Sequence, residues 1–171
     1  IHYTIPGIHT YTIVENVGDE GGVTYDSTHF TATVTVENNG YGKLIASVVY
    51  STPVAFVNSY TSKAAQVVFN GKKILTGDWN AVIEDNKTFL FELYETDAQY
   101  TISGEPVDFV QSGEGDFSFG TRTFTEEDVY YFAIREVDDC INGIDYAEKI
   151  YHVAVTVTDG GAGQLIPTVT F

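Results

Sequence analysis

Methionine is absent from this chain of 171 residues, and cysteine and tryptophan occur once each. A single thiol, Cys140, excludes an internal disulfide. If the chain works outside a cell, its toughness must come from another source. Basic residues are scarce as well, 8 against 24 acids, for a net charge of −16. That balance excludes nucleic acid and anionic membranes as natural partners and suits a soluble, self-repelling surface. No apolar run approaches a membrane span, and no signal peptide pattern opens the chain. Ile1 instead begins abruptly inside a strand-like pattern, as a processed or truncated segment would. There is no Gly-x-Ser-x-Gly and no phosphate-binding loop. His2, His9, His29 and His152 lack zinc spacing. "VDD" and "TDGGAG" read as acidic turns without regular calcium ligands. The acids of "GEPVDF" and "SGEGDFSF" mark no glycosidase pair. No metal and no cofactor are expected.

What the chain has is tyrosine, phenylalanine and alternation. Aromatics make up 14% of it, with 12 Tyr and 11 Phe, ample for hydrophobic cores. "HFTATVTVEN" (29–38), "KLIASVVY" (43–50), "PVAFVNSY" (53–60), "AQVVFNG" (65–71), "KTFLFELYE" (87–95) and "IYHVAVTVTD" (150–159) alternate with a period of two and predict strands. "GDEGG", "ENNGYG", "TGDWN", "QSGEGD" and "DGGAG" separate them as turns. No segment has a helical period, and "TSKAA" is a turn at most. The pattern predicts an all-β chain of antiparallel β-sandwich domains in tandem.

Residues 8–50 align without a gap onto 129–171, at an offset of 121 residues from Ile13 to Ile134. The same offset carries Glu15 to Glu136, Gly22 to Gly143, Tyr25 to Tyr146, and Gly40 and Gly42 to Gly161 and Gly163. One repeat of that length is an ordinary domain. The chain therefore reads as the C-terminal half of one repeat, residues 1–61, followed by a second repeat, 62–171, that lacks its last strand. No counterpart of "PVAFVNSY" follows in the second copy.

Two carboxylates stand out by parity. In "TYTIVENV" Tyr11, Ile13, Glu15 and Val17 share one face, and in "YYFAIREV" Phe132, Ile134 and Glu136 do the same. An acid on an otherwise apolar face, repeated at equal spacing, asks for a chemical reason.

The motifs around these acids resemble the streptococcal pilin isopeptide linkage domain, a β-sandwich of Gram-positive major pilins and tandem surface-fibre repeats. The likeness covers essentially the whole chain. It rests on "YTIVENVGDEGGVTYDSTHFTATVTVENNGYGKL" and "YYFAIREVDDCINGIDYAEKIYHVAVTVTDGGAGQL", on "FNGKKILTG" as an opening lysine strand, on "FLFELYE", and on "PVAFVNSY" as a closing asparagine strand. Such domains join a Lys on the first strand to an Asn on the last, assisted by a Glu between them. The resemblance implies Glu15 and Glu136 as the acids, Asn58 as the asparagine, and Lys73 as the lysine, with Lys72 beside it as the residue to be distinguished.

Parity agrees with these assignments. Phe69, Gly71, Lys73 and Leu75 share a face, as do Val54, Phe56, Asn58 and Tyr60. A low-dielectric interior favours a neutral amine over an ammonium, and only the neutral amine is a nucleophile. A protonated carboxylic acid can polarise a carboxamide and pass a proton to departing ammonia. The reaction runs once, without cofactor, so the chain is no enzyme in the turnover sense.

The function expected is structural. The chain would be part of an extracellular, cell-wall-attached fibre, pilus shaft or adhesin stalk, stiffened by self-formed Lys–Asn bonds. Its partners would be neighbouring copies or adjacent repeats, by strand donation in one version. The alternative is an adhesin module recognising carbohydrate or host matrix, for which Trp79 is the only tryptophan available to a platform. Cys140 aligns with Asp19 and reads as a free surface thiol. By the offset, an Asn to pair with Lys73 falls beyond Phe171, and a Lys to pair with Asn58 falls before Ile1. A continuous array or a strand from an adjoining chain would complete each domain. A fold-back of 53–60 that brings Asn58 to Lys73 is the competing arrangement.

Overall fold

A computed structural model describes residues 1–77 and 87–171. Trp79 lies outside the described residues. The chain forms two compact units, Ile1–Thr61 and Ser62–Phe171. Every regular element among the described residues is a β-strand, and all the ladders between these strands are antiparallel.

In the first unit, β1 (Gly7–Ile13), β3 (Phe30–Asn38) and β4 (Leu44–Tyr50) form one sheet in the order β1-β3-β4. A short pair joins β2 (Val23–Thr24) to β5 (Ser59–Tyr60). Strand β3 is β-branched on alternate positions and buries Phe30, Ala32 and Val36, the side-chain periodicity that a pleated strand imposes.

The described residues of the second unit hold nine strands: β6 (Ala65–Val67), β7 (Asn70–Lys73), β8 (Phe89–Thr96), β9 (Asp108–Ser112), β10 (Gly115–Ser118), β11 (Arg122–Phe124), β12 (Asp128–Glu136), β13 (Tyr151–Asp159) and β14 (Leu165–Thr170). Five of them make a sheet in the order β14-β13-β12-β8-β9, while β6 pairs with β11 and β7 with β10. Between these layers lies a core built on Phe69, Phe89, Leu93, Phe132, Val153 and Val155. Phe69, Phe89, Leu93, Val153 and Val155 are at most 1% exposed. This is a sheet-on-sheet arrangement with side chains interdigitating from the two inner faces.

The internal repeat is structural to the residue. Gly7 faces Val36 where Asp128 faces Val157, and Thr33 faces Val49 where Ala154 faces Thr170. Gly22 and Gly143 both adopt left-handed backbone, φ 81° and 84°, which a residue with a Cβ disfavours. The first unit reproduces β12, β13 and β14 but has no described strand against the free edge of β1, the edge that β8 occupies on β12. Ile8 and Val49 are exposed, as are their equivalents Val129 and Thr170.

On the outer face of the five-stranded sheet, Arg135 donates from Nε and Nη2 to Glu92 Oε2 at 3.0 and 2.9 Å, and from Nη2 to Tyr94 Oη at 2.7 Å. Burial pushes the Glu92 carboxyl up, but hydrogen bonds from Tyr94 and Arg135 outweigh it and leave the group below its ordinary 4.5. A depressed carboxylate contributes stability above its unfolded value and loses it as pH falls through the folded one. Glu92→Gln is therefore expected to lower stability at neutral pH, where the parent keeps this contribution, and to differ little from the parent well below about pH 4.5, where the parent has lost it, so that the acid limb flattens. Urea melts of parent and variant at about pH 7 and about pH 3 check this, and an equal difference at both pH values would refute it.

Candidate functional site

Lys73 closes β7, two residues after Gly71 and four after Phe69. Its register partner is Gly115 on β10, and Gly71 faces Phe117. A Cβ at Gly71 would run into the Phe117 ring, which stacks on Phe91 at 4.1 Å. The glycine thus lets β7 lie close to the core, and the strand delivers Lys73 inward. Lys73 is only 8% exposed. Lys72, one residue earlier, is exposed, as the alternation of the strand requires.

Glu136 ends β12 opposite Phe91. Lys73 Nζ donates to Glu136 Oε1 at 2.7 Å and to Oε2 at 2.9 Å. The Glu136 side chain is 4% exposed. Beneath the ammonium lies the Phe89 ring, its centroid 4.3 Å from Nζ, a cation–π placement that partly offsets the lost hydration. Glu136 Oε2 also accepts the Ala147 N–H at 3.2 Å.

The first unit presents the complementary pair. Asn58 Nδ2 donates to Glu15 Oε1 at 2.7 Å. Asn58 Oδ1 accepts the Asp26 N–H at 2.9 Å. The second bond fixes the orientation of the carboxamide, since its NH2 group could not face another donor. Asp26 fastens the segment further, accepting the Val57 N–H on Oδ2 and the Thr28 N–H on Oδ1 at 2.9 and 2.8 Å. The Thr28 side chain, then the amides of Val57 and Thr28, hold the Asp26 carboxyl below its ordinary value. The second carboxylate oxygen of Glu15, Oε2, is buried with no hydrogen-bond partner.

The two acids are equivalent by the repeat, yet each holds a different half of a three-residue set. Glu136 has the amine; Glu15 has the carboxamide. Glu15 is half-buried two residues past the end of β1, on the parity of half-buried Tyr11 and Ile13, whereas Val17 at the end of that series is 74% exposed. The inward strand expected over 53–60 differs more. Only Ser59–Tyr60 is laddered, Val54 and Tyr60 are exposed, and Phe56 alone is half-buried. The segment is held by the Asp26 side chain and by Asn58 instead of by a continuous ladder, so its parity face meets little core. Phe56 is the exception, packing edge-on against Phe30 at 5.1 Å.

The backbone N–H groups of Asp26 and Ala147 carry no sequence signal and could not have been singled out. Cys140 is an exposed free thiol with left-handed backbone, φ 57°. Among the described residues no cluster of His, Cys, Asp or Glu is disposed to hold a metal.

A family model described as the Spy0128-like isopeptide-containing domain (FctA) matches residues 1–61 and 69–171. No curated protein matches the chain.

Proposed function

We propose, since the chain belongs to the Spy0128-like isopeptide-containing domain family, that it is a repeat of an extracellular bacterial fibre, pilus shaft or adhesin stalk. Each repeat is stiffened by an amide bond between a Lys and an Asn side chain. The observation that carries this reading is the buried contact of Lys73 Nζ with both Glu136 oxygens, matched in the equivalent unit by the contact of Asn58 with Glu15.

The geometry divides the chemistry between two groups. The acid lies on the nitrogen side of the carboxamide, as Glu15 does to Asn58 Nδ2. The backbone N–H lies on the oxygen side, as that of Asp26 does to Oδ1. Transfer of a proton from Lys73 to Glu136 leaves a neutral amine. That amine attacks the Cγ of the Asn and forms a C–N bond. The negative charge developing on the carbonyl oxygen is met by a backbone donor placed before the reaction starts. The carboxylic acid gives its proton to the departing nitrogen, which leaves as ammonia, and the regenerated carboxylate takes the surplus proton from the new amide nitrogen. Packing around Lys73 supplies the orientation that makes a slow aminolysis feasible. Because the lysine and asparagine come from the first and last strands of a repeat, the bond would carry tension past the intervening ladders.

The role is structural and the reaction is single-turnover. Cell-surface or cell-wall attachment and assembly from adjacent repeats or neighbouring copies follow from the same reading. Fragment mass spectrometry of the native surface protein tests it. A branched peptide joining Lys73 to an asparagine, lighter by one ammonia than its two parts, is expected. A linear peptide with unmodified Lys73 would overturn the reading.

A further inference from the structure

Beside Lys73 and Glu136 the second unit has a groove of about 500 Å³, bounded by β7 on one side and by Ala147, Lys149 and Tyr151 on the other. The repeat shows what kind of element fits it. In the first unit the residues equivalent to Ala147 and Tyr151 are Asp26 and Phe30, and both are covered by the segment that carries Asn58. Asp26 donates to Asn58 and accepts from Val57, and Phe30 lies under Phe56. Phe30 is 6% exposed there, whereas Tyr151 is 48% exposed. The groove is thus the seat of an extended strand bearing an asparagine, on the reading given above.

The charge of the groove adds something that reading does not contain. Lys72, Lys73 and Lys149 line it, three of the eight basic residues in a chain of net charge −16, and Glu136 is the one acid among the described lining residues, the Arg135 guanidinium lying on the outer face with Glu92 and Tyr94. Lys73 is neutralised by Glu136. Lys72 faces Asp116 across the β7–β10 ladder without a close ion pair, and Lys149 has no ion-pair partner among the described residues and rests on the Tyr151 ring at 4.3 Å. The position equivalent to Lys149 in the first unit is Thr28, and the segment seated there, "STPVAFVNSY", has no charge at all. Lys149 therefore has no basic counterpart in the first unit.

We propose that this groove selects an asparagine strand that carries carboxylates on its outward positions, and discriminates against a strand as neutral as residues 51–60. The outward positions are those equivalent to Ala55 and Val57, since Phe56 and Asn58 take the inward contacts. Lys72 occupies the outward parity of β7, next to inward Lys73. A carboxylate one residue before the asparagine would stand across from it as an opposite-charge cross-strand pair. In a fibre of related acidic repeats such a pair sets which strand enters which domain, by adding attraction for the right strand and withholding it from neutral ones.

The test uses the full chain, Ile1–Phe171, and two synthetic peptides. One has the sequence of residues 51–60. The other is the same peptide carrying Ala55→Glu and Val57→Glu. Binding is read by fluorescence anisotropy and amide formation by intact mass. The acidic peptide is expected to bind roughly tenfold more tightly at low ionic strength, with the difference shrinking in high salt. Lys72→Glu with Lys149→Glu, both exposed and outside the reacting set, is expected to reverse the preference. Equal binding of the two peptides, or a preference indifferent to salt and to the Lys72/Lys149 exchange, would overturn the proposal. So would failure of both peptides to bind. If the acidic peptide binds preferentially but neither peptide gains an amide, the charge selection stands and the cross-linking reading is the part that fails. A covalent dimer formed by the chain alone would show that the neutral 51–60 segment of a second copy is accepted, and would also count against the proposal.

Discussion

Glu136→Ala is expected to lower the stability of the second unit by about 3–5 kcal/mol, because it strands the Lys73 ammonium without its partner in a buried site. Lys73 donates two hydrogen bonds to Glu136, and the Phe89 ring centroid lies 4.3 Å from Nζ. The ring offsets a fraction of that cost and replaces neither hydrogen bond. The same variant is expected to form no amide at Lys73, since nothing remains to take the proton from the amine or return it to departing ammonia. Glu136→Gln separates the two effects. Its amide oxygen still accepts from Lys73, so most of the stability is expected to survive, while amide formation falls by about 10²–10⁴-fold with the loss of the acid–base group. Replacing both members, Lys73→Met with Glu136→Leu, removes the buried charge altogether and is expected to melt within a few degrees of the parent chain before cross-linking. Thermal and urea melts of the three variants give the stabilities. Intact mass after incubation with an asparagine-bearing strand peptide gives the reaction. Amide formation in Glu136→Gln at the parent rate would remove Glu136 from the chemistry.

The placement of Lys73 shows why this much of the site was legible. Parity alone aligned Lys73 with Phe69 and Gly71, and all three face inward because β7 is a regular strand held by β10. The same logic placed Glu136 next to Phe132 and Ile134, which are 2% and 7% exposed. The repeat offset was equally legible, since the glycines that force left-handed backbone recur at fixed places and the strand registers between them match. Where the segment is not laddered, parity lost its meaning. Residues 53–58 are extended but held by the Asp26 side chain, so Asn58 is oriented by two hydrogen bonds and not by a pleat. The stretch 108–124 was hidden for another reason. Its three strands have five residues or fewer, and glycines and acids dilute an alternation that delivers Phe117, Phe119 and Phe124 to the core or its margin. Short strands near sheet edges bury too few side chains to announce themselves by periodicity.

The second large effect is expected at Phe89, where stability and chemistry meet in one ring. Phe89 is 0% exposed. One side of its neighbourhood is aromatic, with the Tyr146 ring edge-on at 6.0 Å. The Lys73 ammonium lies over it at 4.3 Å. Phe89→Ala removes the packing and leaves a cavity beneath the amine, for an expected loss of about 3–5 kcal/mol. Phe89→Leu restores most of the volume, and is expected to cost under about 1.5 kcal/mol if the site repacks around a hydrophobe of similar size. It does not restore the negative ring face, worth roughly 0.5–2 kcal/mol to a cation. The two variants therefore part company in a useful way. If the ring merely fills space, Phe89→Leu should form the Lys73 amide at the parent rate. If the ring fixes the amine in line with Glu136 and the incoming carboxamide, Phe89→Leu should remain folded and react several-fold more slowly, because a displaced nucleophile loses the advantage of a held geometry. The second outcome is the one expected here, as β7 reaches Lys73 at its last residue and leaves the side chain beyond Cβ to be positioned by Phe89 and Glu136. Single-turnover rates on the two variants, measured where both are fully folded by urea titration, decide between them. A parent rate in Phe89→Leu would reduce the ring to a packing element and leave Glu136 as the sole group orienting the amine.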